Sequence, residues 1–171
     1  MSDTEPRAWV GCLACYSEGR LTGEWVDGVD AGEFVPCRRA GHEEWWVLDH
    51  EGTHGLIAGE CSPVEFSRAA EVLAELEDDE TREAFAVYVR EVASSGPLDV
   101  SLASFREEYR GRFDSDADYA QEQIADLYES ALDALPDVIS IDWESTALAM
   151  DANGWFMSVR ASGGGVFVFR E

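Results

Sequence analysis

The sequence predicts an α+β protein, and three observations carry that reading. Short apolar and aromatic runs separated by glycine-rich loops fill roughly the first third of the chain and its last twenty or so residues. The stretch between them has helical periodicity and recognisable helix caps. Finally, 46% of the 171 residues are hydrophobic, with six Trp and eight Phe, so a core can form in spite of a net charge of −24.

Taken in order, residues 9–16 (WVGCLACY) read as a strand, 17–23 as a loop and 24–29 (EWVDGV) as a second strand. Residues 30–40 suit a short helix limited by Pro36, and 43–50 (EEWWVLDH) a third strand before the glycine-rich loop EGTHGLIAG. This is a small antiparallel sheet with one helix. Ser62 then serves as an N-cap, with Pro63 in the first helical position and Glu65 three residues after the cap. Phe66, Ala69, Ala70, Leu73 and Leu76 make the buried face of that helix. Residues 79–93 form a second helix burying Ala84, Phe85, Tyr88, Val89 and Val92, and SSGPLD at 94–99 breaks it. A short helix at 101–109 precedes a long one at 118–135, which Pro136 ends. Residues 142–153 give a last helix with Gly154 as its stop, and WFMSVR and VFVFR, joined by ASGGG, a closing hairpin. The breaks divide the chain into 1–60 (α+β), 61–98 (helical) and 99–171 (α+β).

The helix at 118–135, DYAQEQIADLYESALDAL, has no cation. Its acids Asp118, Glu122, Asp126, Glu129 and Asp133 recur every three or four residues and so share one stripe. Ala120, Ile124, Leu127, Ala131 and Leu135 repeat on the opposite side, which is expected to be buried. Like charges one turn apart cost about 0.2–0.5 kcal/mol per pair, and the last two acids oppose the helix dipole. An arrangement that costs stability points to functional charge. The chain as a whole has 36 Asp and Glu against 12 cations, all arginine. Residues 60–151 account for a net −18, while 152–171 stand at +1. Such a surface excludes direct binding to nucleic acid or to anionic membranes and favours basic protein partners. No membrane span and no targeting segment is expected, and the cytoplasm is the expected compartment.

Cys12-x-x-Cys15 falls within the predicted strand, where residues three apart face opposite ways, and a second pair to match it is absent. Cys37 and Cys61 stand alone, and His50 and His54 flank Gly52. The expectation is buried, reduced thiols, no metal and no cofactor. The sequence lacks GxSxG, HExxH, P-loop and GxGxxG patterns, so an enzyme, such as a carboxylate-dependent hydrolase, ranks below a binding protein.

Several segments resemble the ArdA family of antirestriction proteins. GRLTGEWVD (19–27) is similar to that family's loop-to-strand motif, and FREEYRGRFDSDADYA (105–120) to its Tyr-Arg-Gly segment followed by acids. IDWESTALAM (141–150) and VFVFR resemble its last helix and strand, in the same order along the chain. Pro36 and the cysteines depart from the family pattern. The resemblance implies a protein of mobile genetic elements that is not an enzyme. It further implies an elongated row of three small domains, joined through the C-terminal ones into a curved acidic homodimer. Such a dimer imitates DNA in the groove of type I restriction-modification enzymes, with the methyltransferase core as partner. Carried onto this chain, the phosphate-like array is Asp118, Glu122, Asp126, Glu129 and Asp133 together with Glu107, Glu108, Asp114 and Asp116. Two such chains would match roughly 80 Å of duplex if every net charge were usable. The alternative is an acidic module for another basic DNA-binding protein.

A strongly acidic chain repels its own copy, so self-association is expected where charge is lowest and apolar surface richest. Trp143, Trp155, Phe156, Val166, Phe167 and Val168 are the expected dimer contacts, because VFVF is apolar on both faces.

Overall fold

The computed structural model describes residues 5–93 and 96–170 and is of the α+β class. Packing divides the chain into two compact units between Ala103 and Ser104.

In the first unit, β1 (Arg7–Cys12) lies between β2 (Gly23–Asp27) and β3 (Trp45–Glu51) in an antiparallel sheet of order β2-β1-β3. The predicted strand 9–16 therefore stops at Cys12, and the chain turns into a short helix, α1 (Leu13–Ser17). The sequence conceals this turn because LAC is as apolar as the strand before it. The helix expected at 30–40 is absent: residues 31–44 contain no helix or strand, and a 3-10 turn at Gly28–Asp30 precedes them. Helix α2 (Pro63–Ala74) begins as predicted, with the Ser62 hydroxyl accepting the Glu65 N–H at 3.2 Å. Its Phe66 and Ala70 pack with Ala8, Val10 and Val47 to form the core.

Helix α3 (Asp79–Glu91) is capped by Asp78, whose carboxylate accepts the Thr81 N–H at 2.7 Å. Arg82 is 6% exposed and ties α3 to the end of α2. Its Nε donates to the Leu73 carbonyl and its Nη2 to that of Leu76, both at 3.1 Å. Arg82 thus adds a cationic donor to two carbonyls at and just beyond the C-terminus of α2. The SSGPLD break begins at Ser94 and Ser95, which lie outside the described residues. Helix α4 (Leu98–Glu108) follows, starting earlier than the predicted 101.

The second unit contains an unpredicted strand, β4 (Tyr109–Phe113). It pairs with β6 (Val166–Phe169), which also pairs with β5 (Met157–Arg160), giving the antiparallel order β4-β6-β5. The Tyr-Arg-Gly segment forms a bulge at the start of β4, and Gly111 adopts φ +120°, a conformation that other residues rarely take. Gly165, with φ +74°, closes the β5–β6 turn so tightly that a Cβ there would lie 2.4 Å from the Phe113 carbonyl oxygen. Helices α5 (Asp116–Asp133) and α6 (Trp143–Ala152) begin with the caps Ser115 and Asp142.

Strand β6 is central, so both its edges are paired, and the apolar run VFVF is also covered on both faces. On one, Phe105 stacks on Tyr109 at 4.8 Å between ring centroids, and Phe169 lies 5.7 Å from Tyr109. On the other, Val168 joins Tyr119, Ala120, Ala147, Met150 and Phe156. Phe156 is 1% exposed, and Phe167 and Val168 are fully buried, so these three expected dimer contacts are core residues of a single chain.

Candidate functional site: the acidic surface

Helix α5 is present as an 18-residue element, but it is not the uniform amphipathic rod that its periodicity predicts. Tyr119 and Ala120 are buried and Ile124 is half-buried against the core of the second unit. Backbone angles then leave the helical region at Tyr128 (φ −133°, ψ 27°), kinking the helix. Beyond Ile124 the predicted buried stripe fails. Leu127 and Leu135 are 57% and 41% exposed, and Ala131 is exposed as well. The first half is pinned by aromatic packing, Tyr119 meeting Phe113 and Phe156 edge-on at 5.0 and 4.9 Å, whereas the second half has no such anchor.

The acids behave as a ladder. Asp118, Glu122, Asp126, Glu129 and Asp133 are all exposed, and among the described residues none of them forms an ion pair. At about 1.5 Å rise per residue, the first three stand roughly 6 Å apart before the kink redirects the rest. No basic residue occupies the last turn to offset the helix dipole. Glu107, at the end of α4, and Asp114, before α5, are also exposed. Glu108 and Asp116 differ: both are half-buried, and one carboxylate oxygen of Asp116 is turned inward without a hydrogen-bond partner among the described residues.

Six acids missing from the sequence-derived set, Glu65, Glu71, Glu75, Glu77, Asp78 and Glu80, are exposed around α2 and its junction with α3. Their signal was regional, in the excess of acids over residues 60–151, rather than a local motif. The arginines are used differently. Arg82 caps a helix from inside, and Arg112 donates to the Gly164 carbonyl from Nε and Nη2 at 3.1 and 2.6 Å, so these two cations hold the backbone, whereas Arg7, Arg20 and Arg90 pair with surface carboxylates.

Nothing in the acids resembles a tuned catalytic pair. Among the described residues the carboxyls with lowered pKa values are Asp78 and Asp142, held down first by the backbone N–H groups of Thr81 and Ser145 that they cap. Neither lines the cavity of about 660 Å³ bordered by Glu65, Arg68, Glu71, Val72, Val89 and Asp99. No helix among the described residues is long and apolar enough to cross a membrane.

The family model described as antirestriction protein (ArdA) matches residues 8–163, nearly the whole chain. The chain belongs to the ArdA family. A comparison with curated proteins finds no match. Membership makes this an antirestriction protein and gives its acidic surface a setting, since ArdA proteins oppose restriction systems. Within the ArdA match, the Tyr-Arg-Gly segment supplies the bulge that starts β4, and its Gly111 lies four residues before the N-cap Ser115 of the acidic helix.

The thiols overturn the premise of the sequence reading. Cys12 and Cys15 do not point to opposite faces of a strand. The strand ends between them, and the Cys15 N–H points at the Cys12 Sγ across 3.5 Å. Burial pushes the Cys12 thiol up. Hydrogen bonding to Thr22 foremost draws the Cys15 thiol down to about 6, against burial and with help from Cys37, Cys12 and His42. Cys61, buried elsewhere, is pushed up to about 11.

Proposed function

We propose that this ArdA protein blocks type I restriction-modification enzymes by occupying their DNA groove with an array of carboxylates. The observation that carries the reading is the ladder on α5: five exposed acids at helical spacing, without ion pairs among the described residues, on a helix that lacks cations. The net charge of −24 would match that of roughly 40 Å of duplex, at one charge per about 1.7 Å. Glu107 and Asp114 extend the array, and the exposed acids around α2 add a second patch. The protein acts by binding rather than by catalysis, on an enzyme that works on cellular DNA, which makes the cytoplasm its working compartment.

The proposal includes a homodimer through the C-terminal unit. With Phe156, Phe167 and Val168 inside the core, its contacts are drawn from the outer apolar side chains. Trp155 and Leu148 are 43% and 70% exposed, while Trp143 and Val166 are half-buried. Trp155→Asp combined with Leu148→Asp would then give a folded monomer by sedimentation, and an unchanged dimer would remove these residues from the interface.

The deciding experiment is competition. The protein should capture a type I methyltransferase core, and duplex DNA should displace it. Neutralising Asp118, Glu122, Asp126, Glu129 and Asp133 together should weaken capture and flatten its salt dependence. Capture that is indifferent to salt and to the fivefold variant would defeat the mimicry reading.

A further inference from the structure

Cys12, Cys15, Cys37 and His42 come together in the first unit, from two separate turns of the chain. The end of β1 and the start of α1 supply C-x-x-C, held in place by the Cys12 N–H on the Thr22 carbonyl (2.9 Å) and the Leu13 N–H on the Glu44 carbonyl (3.1 Å). A turn within the irregular segment supplies C-x-x-x-x-H, where the His42 N–H donates to the Arg39 carbonyl at 3.1 Å and Gly41 reverses the chain at φ +80°. One ligand atom from each side chain lies within 4.8 Å of the other three.

We infer that these four side chains form a structural site for one tetrahedral divalent cation of the zinc class. Four of the six ligand-to-ligand distances are those of a coordination shell. His42 Nδ1 stands 3.4 Å from Cys12 Sγ, 3.4 Å from Cys15 Sγ and 3.6 Å from Cys37 Sγ, and Cys15 Sγ is 3.7 Å from Cys37 Sγ. Zinc–sulfur and zinc–nitrogen bonds of about 2.3 and 2.05 Å at tetrahedral angles put S···N edges at about 3.6 Å and S···S edges at about 3.8 Å. Ordinary contacts account less well for the arrangement. One imidazole nitrogen has a single hydrogen or a single lone pair, so it cannot hydrogen-bond three sulfurs at nearly equal range. A disulfide needs sulfurs about 2.05 Å apart and would engage only two of the four groups.

The surroundings suit a closed site. The three cysteines are buried, and His42 keeps only 11% of its side chain exposed. With Nδ1 facing the sulfurs, Nε2 faces the Glu18 carboxylate at 3.6 Å, and Glu18 in turn pairs with Arg20. A carboxylate behind a ligating histidine fixes its tautomer and raises its basicity. All four corners are protein side chains, which makes the site structural rather than catalytic. Its effect would be to fasten residues 31–44, a long segment without helix or strand, back onto β1. Three thiolates and one imidazole select a borderline-soft ion over magnesium or calcium.

The test uses the full-length chain, purified under reducing conditions without chelator. Elemental analysis should find about one zinc per chain. The chelated protein, refilled with Co²⁺, should show the thiolate charge-transfer and intense d–d bands of a tetrahedral sulfur-rich site. Cys37→Ser should lose the metal, Cys61→Ser should keep it, and Glu18→Gln should weaken binding by about ten- to a hundredfold. Should Cys37→Ser not fold, His42→Cys provides the second arm, retaining zinc with a shifted cobalt spectrum. Failure of the wild-type chain to take up either metal would overturn the inference. So would equal binding by a folded Cys37→Ser variant, or a disulfide within the cluster.

Discussion

The two units solve the same problem with different chemistry. Each has a three-stranded antiparallel sheet with one fully engaged central strand, β1 in the first and β6 in the second. Strand β6 is short and wholly apolar, and rings close over it: Phe105 and Tyr109 on one face, Tyr119 and Phe156 near the other. Strand β1 is backed by α2 through small and medium side chains, Ala8 and Val10 against Phe66 and Ala70. Its far end is occupied by Cys12, Cys15 and Cys37, packed with Ala14 and Trp45. Where this unit carries a long irregular segment, thiols and an imidazole converge rather than a stack of rings.

The largest expected effect tests the aromatic side of this comparison. Phe167→Asp puts a carboxylate at a fully buried position and should destabilise the second unit by more than about 4 kcal/mol. Denaturant titration followed by near-UV circular dichroism measures this, and a folded, native-like variant would show that β6 has an open face after all. Next is Arg82→Ala, which removes a cationic donor from the Leu73 and Leu76 carbonyls and an ion-pair partner from Asp79, and should cost the first unit about 3 kcal/mol. A loss below 1 kcal/mol would mean that water replaces the guanidinium.

A smaller effect belongs to the cap of α3. Asp78→Ala should cost about 1 kcal/mol at neutral pH. The Asp78 carboxyl is held below its ordinary value by the Thr81 N–H. Its contribution is therefore complete above the unfolded-state pKa of about 3.9 and is lost as pH falls through the lower folded-state value. Wild type and variant should converge in stability in acid, and a gap that persists at low pH would assign the effect to packing. The smallest effect has the opposite sign. Glu122→Gln relieves like-charge neighbours at Asp118 and Asp126 and should stabilise the fold by a few tenths of a kcal/mol while weakening partner capture only slightly. Abolished capture by a folded Glu122→Gln protein would replace the distributed array with a single critical contact.

The cap of α2 and the stop of α6 were legible because they depend on residues adjacent in sequence: Ser62 and Gly154 each act within one turn of the helix they bound. The α+β class and the acid stripe of α5 were legible for the same reason, since periodicity is a local property. Strand β4 was not, because YRGRF has little strand character of its own and is held by pairing with β6, more than fifty residues away. The exposed second half of α5 shows the same limit, since a periodic apolar stripe indicates which side can be buried and not whether anything covers it.

By itself, then, the sequence determined the sign and placement of the charge, the helix boundaries set by caps, and the family to which the chain belongs. Tertiary structure decided that VFVF lies inside one chain and that α5 kinks at Tyr128. It also decided that Cys12 and Cys15 share a side with Cys37 and His42. The physical reason is range. Caps and periodicity follow from bonds within a few residues, whereas burial and the gathering of four ligand atoms depend on which distant segments the sheet brings together.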